Sequence, residues 1–186
     1  MDLHDYQDVR ILKNGEELII RRPKIEDAQA MLKYLNKVGG ESDYLLFGEN
    51  EMPLSLEEEI DFIKNVNMNK ESILVLGIVN DEIISISNLV SPARKRIRHT
   101  SELAISVAKS HWNIGIGNCV MEFLMNFARE SDFITVVNLK VHTENKNAIK
   151  LYKKNGFEEI GIYKKFFNIN GEYFDAMIMN CYIDDK

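Results

Sequence analysis

The segment Ser110-His111-Trp112-Asn113-Ile114-Gly115-Ile116-Gly117-Asn118-Cys119-Val120, SHWNIGIGNCV, constrains this chain more than any other. It follows a stretch, 101–108, in which Leu103, Ile105 and Val107 share one face and Glu102, Ala104 and Ser106 the other, the period of a half-buried strand. After it, Ile116, Val120, Phe123, Leu124 and Phe127 recur at helical spacing. A strand therefore passes into a helix through two glycines one residue apart. Free N–H groups at a helix start, at the positive end of its dipole, form an anion site. Glycine removes the Cβ atoms that would keep a phosphate from those amides. Close helix–strand packing accounts for the same pair, so the glycines alone leave both readings open. Two common phosphate motifs are excluded. A dinucleotide fingerprint needs a third glycine where Val120 stands, and a P-loop needs a Gly-Lys-Ser/Thr triplet that the chain lacks.

The flanking sequence supplies a sheet. Residues 9–12 and 17–21 around Asn14-Gly15 read as a hairpin, which Pro23 ends. Ile25, Ala28, Met31, Leu32 and Leu35 follow at helical spacing up to Gly39-Gly40. After a polar loop, 41–53, Ser55 with Glu58 forms a capping box for a helix carrying Ile60, Ile63 and Val66. Residues 72–79 and 83–90 read as strands joined by Asn80-Asp81, and 134–142 as a further strand. A helix over 145–155 ends at Gly156, and strands 158–168 and 172–182 close the chain around Asn170-Gly171. The sum is a mixed α/β domain with one central sheet, and 186 residues suit a single domain over 1–186.

Composition narrows the setting. With 45% hydrophobic and 28% charged residues the chain has the make-up of a soluble globular protein, and no apolar run approaches the ~20 residues of a membrane helix. The start, MDLHDYQDVR, is polar and acidic, so the expected location is the cytoplasm and no membrane partner is expected. A net charge of -6 weighs against nucleic acid, and Arg94-Lys95-Arg96-Ile97-Arg98 reads as a solvated turn. Cys119 and Cys181 have no companion at metal-ligand spacing, so no metal is expected. They read as two buried thiols, with one disulfide left open.

The second constellation is Asn145-Lys146-Asn147-Ala148-Ile149-Lys150-Leu151-Tyr152-Lys153-Lys154-Asn155-Gly156-Phe157. A Gly-x-Gly helix start, then a strand, then N-x-x-A-x-x-L-Y-x-x-x-G-F resembles the GNAT N-acetyltransferase family. ISVAKSHWNIGIGN is similar to its subgroup of ribosomal-protein and antibiotic N-acetyltransferases. The resemblance spans about 21–182, with its specific signals in 102–157.

It implies an α+β fold: a mixed sheet of about seven strands with flanking helices, and a V-shaped gap between two splaying parallel strands, here 101–108 and 134–142, that takes acetyl-CoA. Backbone groups of Ile105, Ser106 and Val107 would pair with the pantetheine arm. The amides of Trp112, Asn113, Ile114, Gly115, Ile116, Gly117 and Asn118 would hold the pyrophosphate. Trp112 stands where the family pattern has a polar or basic side chain, so the holding falls to backbone amides and Trp112 itself reads as packing. Asn145 matches a residue that reaches the cofactor, and its type also suits a plain N-cap. Tyr152 matches the tyrosine that protonates the departing thiolate, with a core aromatic beside Leu151 as the other reading. Glu102 is the first candidate for the base, directly or through water, and His99 the alternative. An N–H near Ser106 or Val107 would stabilise the oxygen that becomes negative. Cys119 reads as a core residue, since the family transfers acetyl directly with no acyl-enzyme.

The implied partner is an amine acceptor, a small molecule or a peptide N-terminus, and family members are often homodimers. Glu41, Asp43, Glu49, Glu51, Glu57, Glu58 and Glu59 read first as a solvated loop and a helix first turn that favours negative charge; around a cleft they would attract a cationic acceptor. A non-catalytic acyl-CoA-binding or sensing module is the rival function.

Overall fold

The computed structural model of the chain describes residues 7–52 and 54–183. Their elements are β1 (Gln7–Ile11), β2 (Glu17–Arg21), α1 (Ala28–Gly39), α2 (Leu56–Met68), β3 (Ile73–Val79), β4 (Glu82–Val90), β5 (Thr100–Val107), α3 (Ile116–Glu130), β6 (Val136–His142), α4 (Lys146–Lys154), β7 (Glu158–Ile169) and β8 (Glu172–Tyr182). The strands form one mixed sheet in the order β1-β2-β3-β4-β5-β6-β8-β7, eight strands rather than about seven. β5 and β6 are parallel, whereas β1–β2, β2–β3, β6–β8 and β7–β8 are antiparallel. The described residues sort into two compact units, one within 1–88 and 105–120, the other within 89–104 and 121–186.

In the first unit the β1–β2 hairpin turns at Asn14-Gly15, where Gly15 has φ +87°. Asn80 and Asp81 both take positive φ between β3 and β4, the geometry of a tight hairpin turn. β3 is buried along its whole length. Gly77 on it is a close approach: a Cβ there would lie 2.9 Å from the Cβ of Ser85 on β4.

The helices of this unit depart from their expected faces. Ile25 lies in a 3-10 turn (Ile25–Asp27) ahead of α1 and is 47% exposed. The buried stripe of α1 is therefore Ala28, Met31, Leu32, Tyr34 and Val38, with Tyr34 in the place expected for Leu35. In α2 the capping box forms as its sequence requires: Ser55 Oγ accepts the Glu58 N–H at 3.2 Å, and Glu58 Oε2 accepts the Ser55 N–H at 2.8 Å. Its buried residues are the expected Ile63 and, one turn before it, Glu59, while Ile60 and Val66 are only half-buried. Glu59 is only 1% exposed and neither carboxylate oxygen has a hydrogen-bond partner, so burial pushes its carboxyl up from the ordinary range. It is no solvated first-turn acid.

In the second unit β6 pairs with β8 from Val136↔Tyr182 to His142↔Ala176. The β7–β8 hairpin turns at Asn170-Gly171, both at positive φ. His142 lies between Phe167 and Phe174, 5.0 Å from each ring, and its Nδ1 accepts the Glu144 N–H at 3.1 Å. Residues 94–98 form an exposed turn, with the Arg98 guanidinium 5.7 Å from the Phe133 ring. The α3 residues expected to be apolar and inward are all buried, as are Met121, Met125 and Ala128 beside them. Neither cysteine forms a disulfide. Cys181 is buried, but Cys119, in the first turn of α3, is only half-buried. No described helix is long and apolar enough to cross a membrane.

Candidate active site

The first unit carries the glycine-rich loop. β5 ends at Val107, a 3-10 turn (Lys109–His111) follows, and α3 begins at Ile116. The Lys109 N–H donates to Glu41 Oε2 at 2.7 Å, so one of the acids considered for the acceptor instead anchors this turn. Glu51 is likewise occupied, accepting the Gly48 N–H. Asn113 has φ +67° and Gly115 φ +112°. A Cβ on Gly115 would meet only Lys13 Cγ, at 3.9 Å, so backbone conformation rather than crowding demands glycine there. The Ile114 carbonyl accepts the Lys13 N–H at 3.1 Å, which ties the loop to the β1–β2 turn.

The first turn of α3 closes on the Gly115 carbonyl, which accepts the N–H groups of Asn118 (3.0 Å) and Cys119 (3.2 Å). No acceptor among the described residues takes the amides of Ile116 and Gly117. Two bare donors at a helix start fit a phosphate group. Trp112 does more than pack: it is 38% exposed, and its Nε1–H donates to the Val107 carbonyl at 2.7 Å.

The end of β5 is held by hydroxyls. Ser85 Oγ donates to the Ser106 carbonyl at 2.8 Å, and Ser106 Oγ donates to the Ile86 carbonyl at 2.9 Å. Tyr34 on α1 donates its hydroxyl to Ser106 Oγ at 3.0 Å. The Ala108 N–H reaches the Ile84 carbonyl on β4. Backbone groups alternate sides along a strand. With Ser106 and Ala108 bonded toward β4, those of Ile105 and Val107 point to the opposite edge. The spacing of α1 gives no sign of Tyr34, and Ser85 belongs to no motif in the β4 sequence; both carry polar groups whose role appears only with their neighbours in place.

The second unit carries the side-chain candidates. β5 pairs with β6 over Thr100↔Val136, Ser101↔Val137 and Glu102↔Asn138. Glu102 is exposed, and its Oε1 lies 2.7 Å from Lys140 Nζ on β6. His99 lies in the exposed turn, its carbonyl accepting the N–H groups of Thr135 and Val136. Asn145 is the N-cap of α4, its Oδ1 accepting the Ala148 N–H at 3.1 Å. Seven residues on, and so on the same face, Tyr152 is 8% exposed with its ring 5.9 Å from that of Phe157. Its hydroxyl has no partner among the described residues. Burial pushes the phenol up to about 12, so it is protonated at neutral pH. No group of three or more His, Cys, Asp or Glu among the described residues is arranged to hold a metal ion.

A family model described as an acetyltransferase (GNAT) domain matches residues 20–178. The structure of an acetyltransferase of the GNAT family from Streptococcus pneumoniae superposes with a TM-score of 0.86 and 30% identity, covering 89% of this chain and 99% of that one. The L-amino acid N-acetyltransferase AaaT of Escherichia coli K12 is 29% identical over 56% of this chain and 65% of its own length, just under two thirds of that relative. An N-alpha-acetyltransferase of Sulfurisphaera tokodaii is 28% identical over 90% of this chain and 94% of its own.

Proposed function

The chain belongs to the GNAT acetyltransferase family, and from that premise we propose that it transfers acetyl from acetyl-CoA directly to a primary amine, of a small molecule or a protein N-terminus. In this reading it works as a single domain over 1–186, in the cytoplasm. The observation that carries it is the open start of α3, where a positive-φ glycine precedes two unclaimed amides. Its relatives support the acceptor class, since one is named for L-amino acids and another for N-alpha positions. The sheet ends at β1 and β7, and these edges are the route by which two copies would pair as a homodimer.

The residues then divide the work. Within 112–118 the bare amides of Ile116 and Gly117 hold the pyrophosphate, those of Trp112 and Asn118 being taken by the Lys109 and Gly115 carbonyls, and the outward groups of Ile105 pair with the pantetheine arm. Asn145 keeps its Nδ2 for the cofactor while its Oδ1 caps α4. The amine nitrogen bonds to the acetyl carbon, the carbon–sulfur bond breaks, and the amine gives up one proton. Glu102 takes that proton, directly or through water, from a position where Lys140 already orients its carboxylate. Tyr152 supplies a proton to the sulfur, and the Val107 N–H faces the oxygen as charge grows on it.

Thiol release from acetyl-CoA, measured against a panel of amines, tests the reading. The expected result is turnover with at least one amine, lowered about 10²–10³-fold in Tyr152→Phe. Tight CoA binding with no turnover on any amine would instead make the protein an acyl-CoA-binding module.

A further inference from the structure

We propose that Ser85 and Tyr34 are positioning residues that aim the Val107 N–H at the acetyl carbonyl oxygen. The inference rests on the acetyl-transfer reading above and names the groups that set one of its parts.

The Ser106 carbonyl and the Val107 N–H belong to one peptide unit. A trans peptide is planar, with its C=O and N–H pointing in opposite directions, so whatever fixes the carbonyl also aims the amide. Ser85 Oγ fixes it, at 2.8 Å. Ser85 is fully buried, has a single proton, and gives it to that carbonyl, so at its 3.2 Å contact with Ser87 the Ser87 hydroxyl is the donor. Gly77 lies directly behind it.

Tyr34 fixes the other side of the same residue. It is 5% exposed, and its O–H donates to Ser106 Oγ, which passes its own proton to the Ile86 carbonyl. Burial pushes the Tyr34 phenol up from its ordinary range, so the donor keeps its proton. The directions are then all assigned: Ser87 to Ser85 to the Ser106 carbonyl, and Tyr34 to Ser106 to Ile86. Trp112 holds the next carbonyl, that of Val107, at 2.7 Å. A donor to a developing oxyanion is effective only when aligned in advance, and this relay leaves the peptide one orientation.

If the hydroxyls merely satisfy buried polar atoms, removing them weakens the fold and leaves chemistry per folded molecule intact. The test therefore separates turnover from binding and stability. Wild type, Ser85→Ala and Tyr34→Phe are compared as full chains: thiol release with an amine found in the panel, CoA binding by calorimetry, and thermal unfolding by circular dichroism. The expected result is a fall in kcat of about tenfold or more in each variant, with the acetyl-CoA KM and the CoA Kd within about threefold of wild type. Ser85→Cys, with a weaker donor, should fall between. Should Ser85→Ala fail to fold, the near-isosteric Tyr34→Phe decides. Folded variants with wild-type kcat would overturn the inference alone, as would a loss seen only in proportion to unfolded protein. A wild type that releases no thiol with any amine overturns the acetyl-transfer reading, and the inference with it.

Discussion

The starts of α3 and α4 solve the same problem in opposite ways. Each helix opens with amides that have no partner within it. α4 closes its own end, because Asn145 turns its side-chain oxygen onto the Ala148 N–H. α3 places Gly115 at φ +112° before its first turn, and the amides of Ile116 and Gly117 are left bare. A capped end is a stability device. An uncapped end reached through a positive-φ glycine forgoes about 1 kcal/mol of capping, which an anion can replace on binding. In the acetyl-transfer reading, α3 therefore binds with its backbone, and α4 contributes side chains: Asn145 at its cap and Tyr152 two turns on.

The sharpest way to break this contrast is Gly115→Val. A β-branched residue at that φ is strained by about 1–3 kcal/mol and disturbs the bare turn, so the acetyl-CoA KM should rise about 100-fold or more, far beyond the effect of Trp112→Gln. If Trp112→Gln were the more damaging, the loop would bind through side chains and the contrast would fail. Next comes Asn145. Asn145→Asp keeps the capping oxygen but loses Nδ2, so thermal stability should hold while the KM rises about tenfold; Asn145→Ala should lose both, with about 1 kcal/mol of stability. Equal KM values for the two variants and wild type would reduce Asn145 to a cap.

α2 gives the comparison a third member, closed by its capping box yet carrying a buried acid at Glu59. Burial raises its folded-state pKa, so the folded chain keeps this proton to higher pH than the unfolded one. The associated stability is complete below the ordinary glutamate range and is lost as pH rises through the raised value. Glu59→Met should flatten that slope in denaturant titrations across pH and stabilise the neutral protein by about 1–3 kcal/mol. The smallest effect belongs to Ser55→Ala, about 1 kcal/mol of stability with the KM unchanged, because that helix start is closed by its own capping box.

Features set by local chemistry were legible in the sequence. Asn14-Gly15 and Asn80-Asp81 specify turns by the φ values they tolerate, Ser55 and Glu58 cap each other across three residues, and the α3 stripe follows from a 3.6-residue period. Features set by distant neighbours were not. Spacing placed Ala28, Met31 and Leu32 inward as found, but it favoured Leu35, which is only half-buried, over Tyr34, whose hydroxyl finds Ser106 on a distant strand. Charge put Glu59 in solvent, although tertiary packing turns it inward. The candidate site divides along the same line: Gly115, Asn145 and Tyr152 stood out in their motifs, while Ser85 and Tyr34 acquire meaning only from the atoms 3 Å away.

Gly77 extends this into how the chain can vary. A Cβ added at 77 would lie only 2.9 Å from that of Ser85, so position 77 cannot gain a side chain by itself. Alanine at 77 would force β3 and β4 apart or displace the serine. Positions 77 and 85 should therefore drift together among descendants of this sequence, with bulk gained at 77 only where it is given up at 85. A survey of such variants would read the pair as one letter.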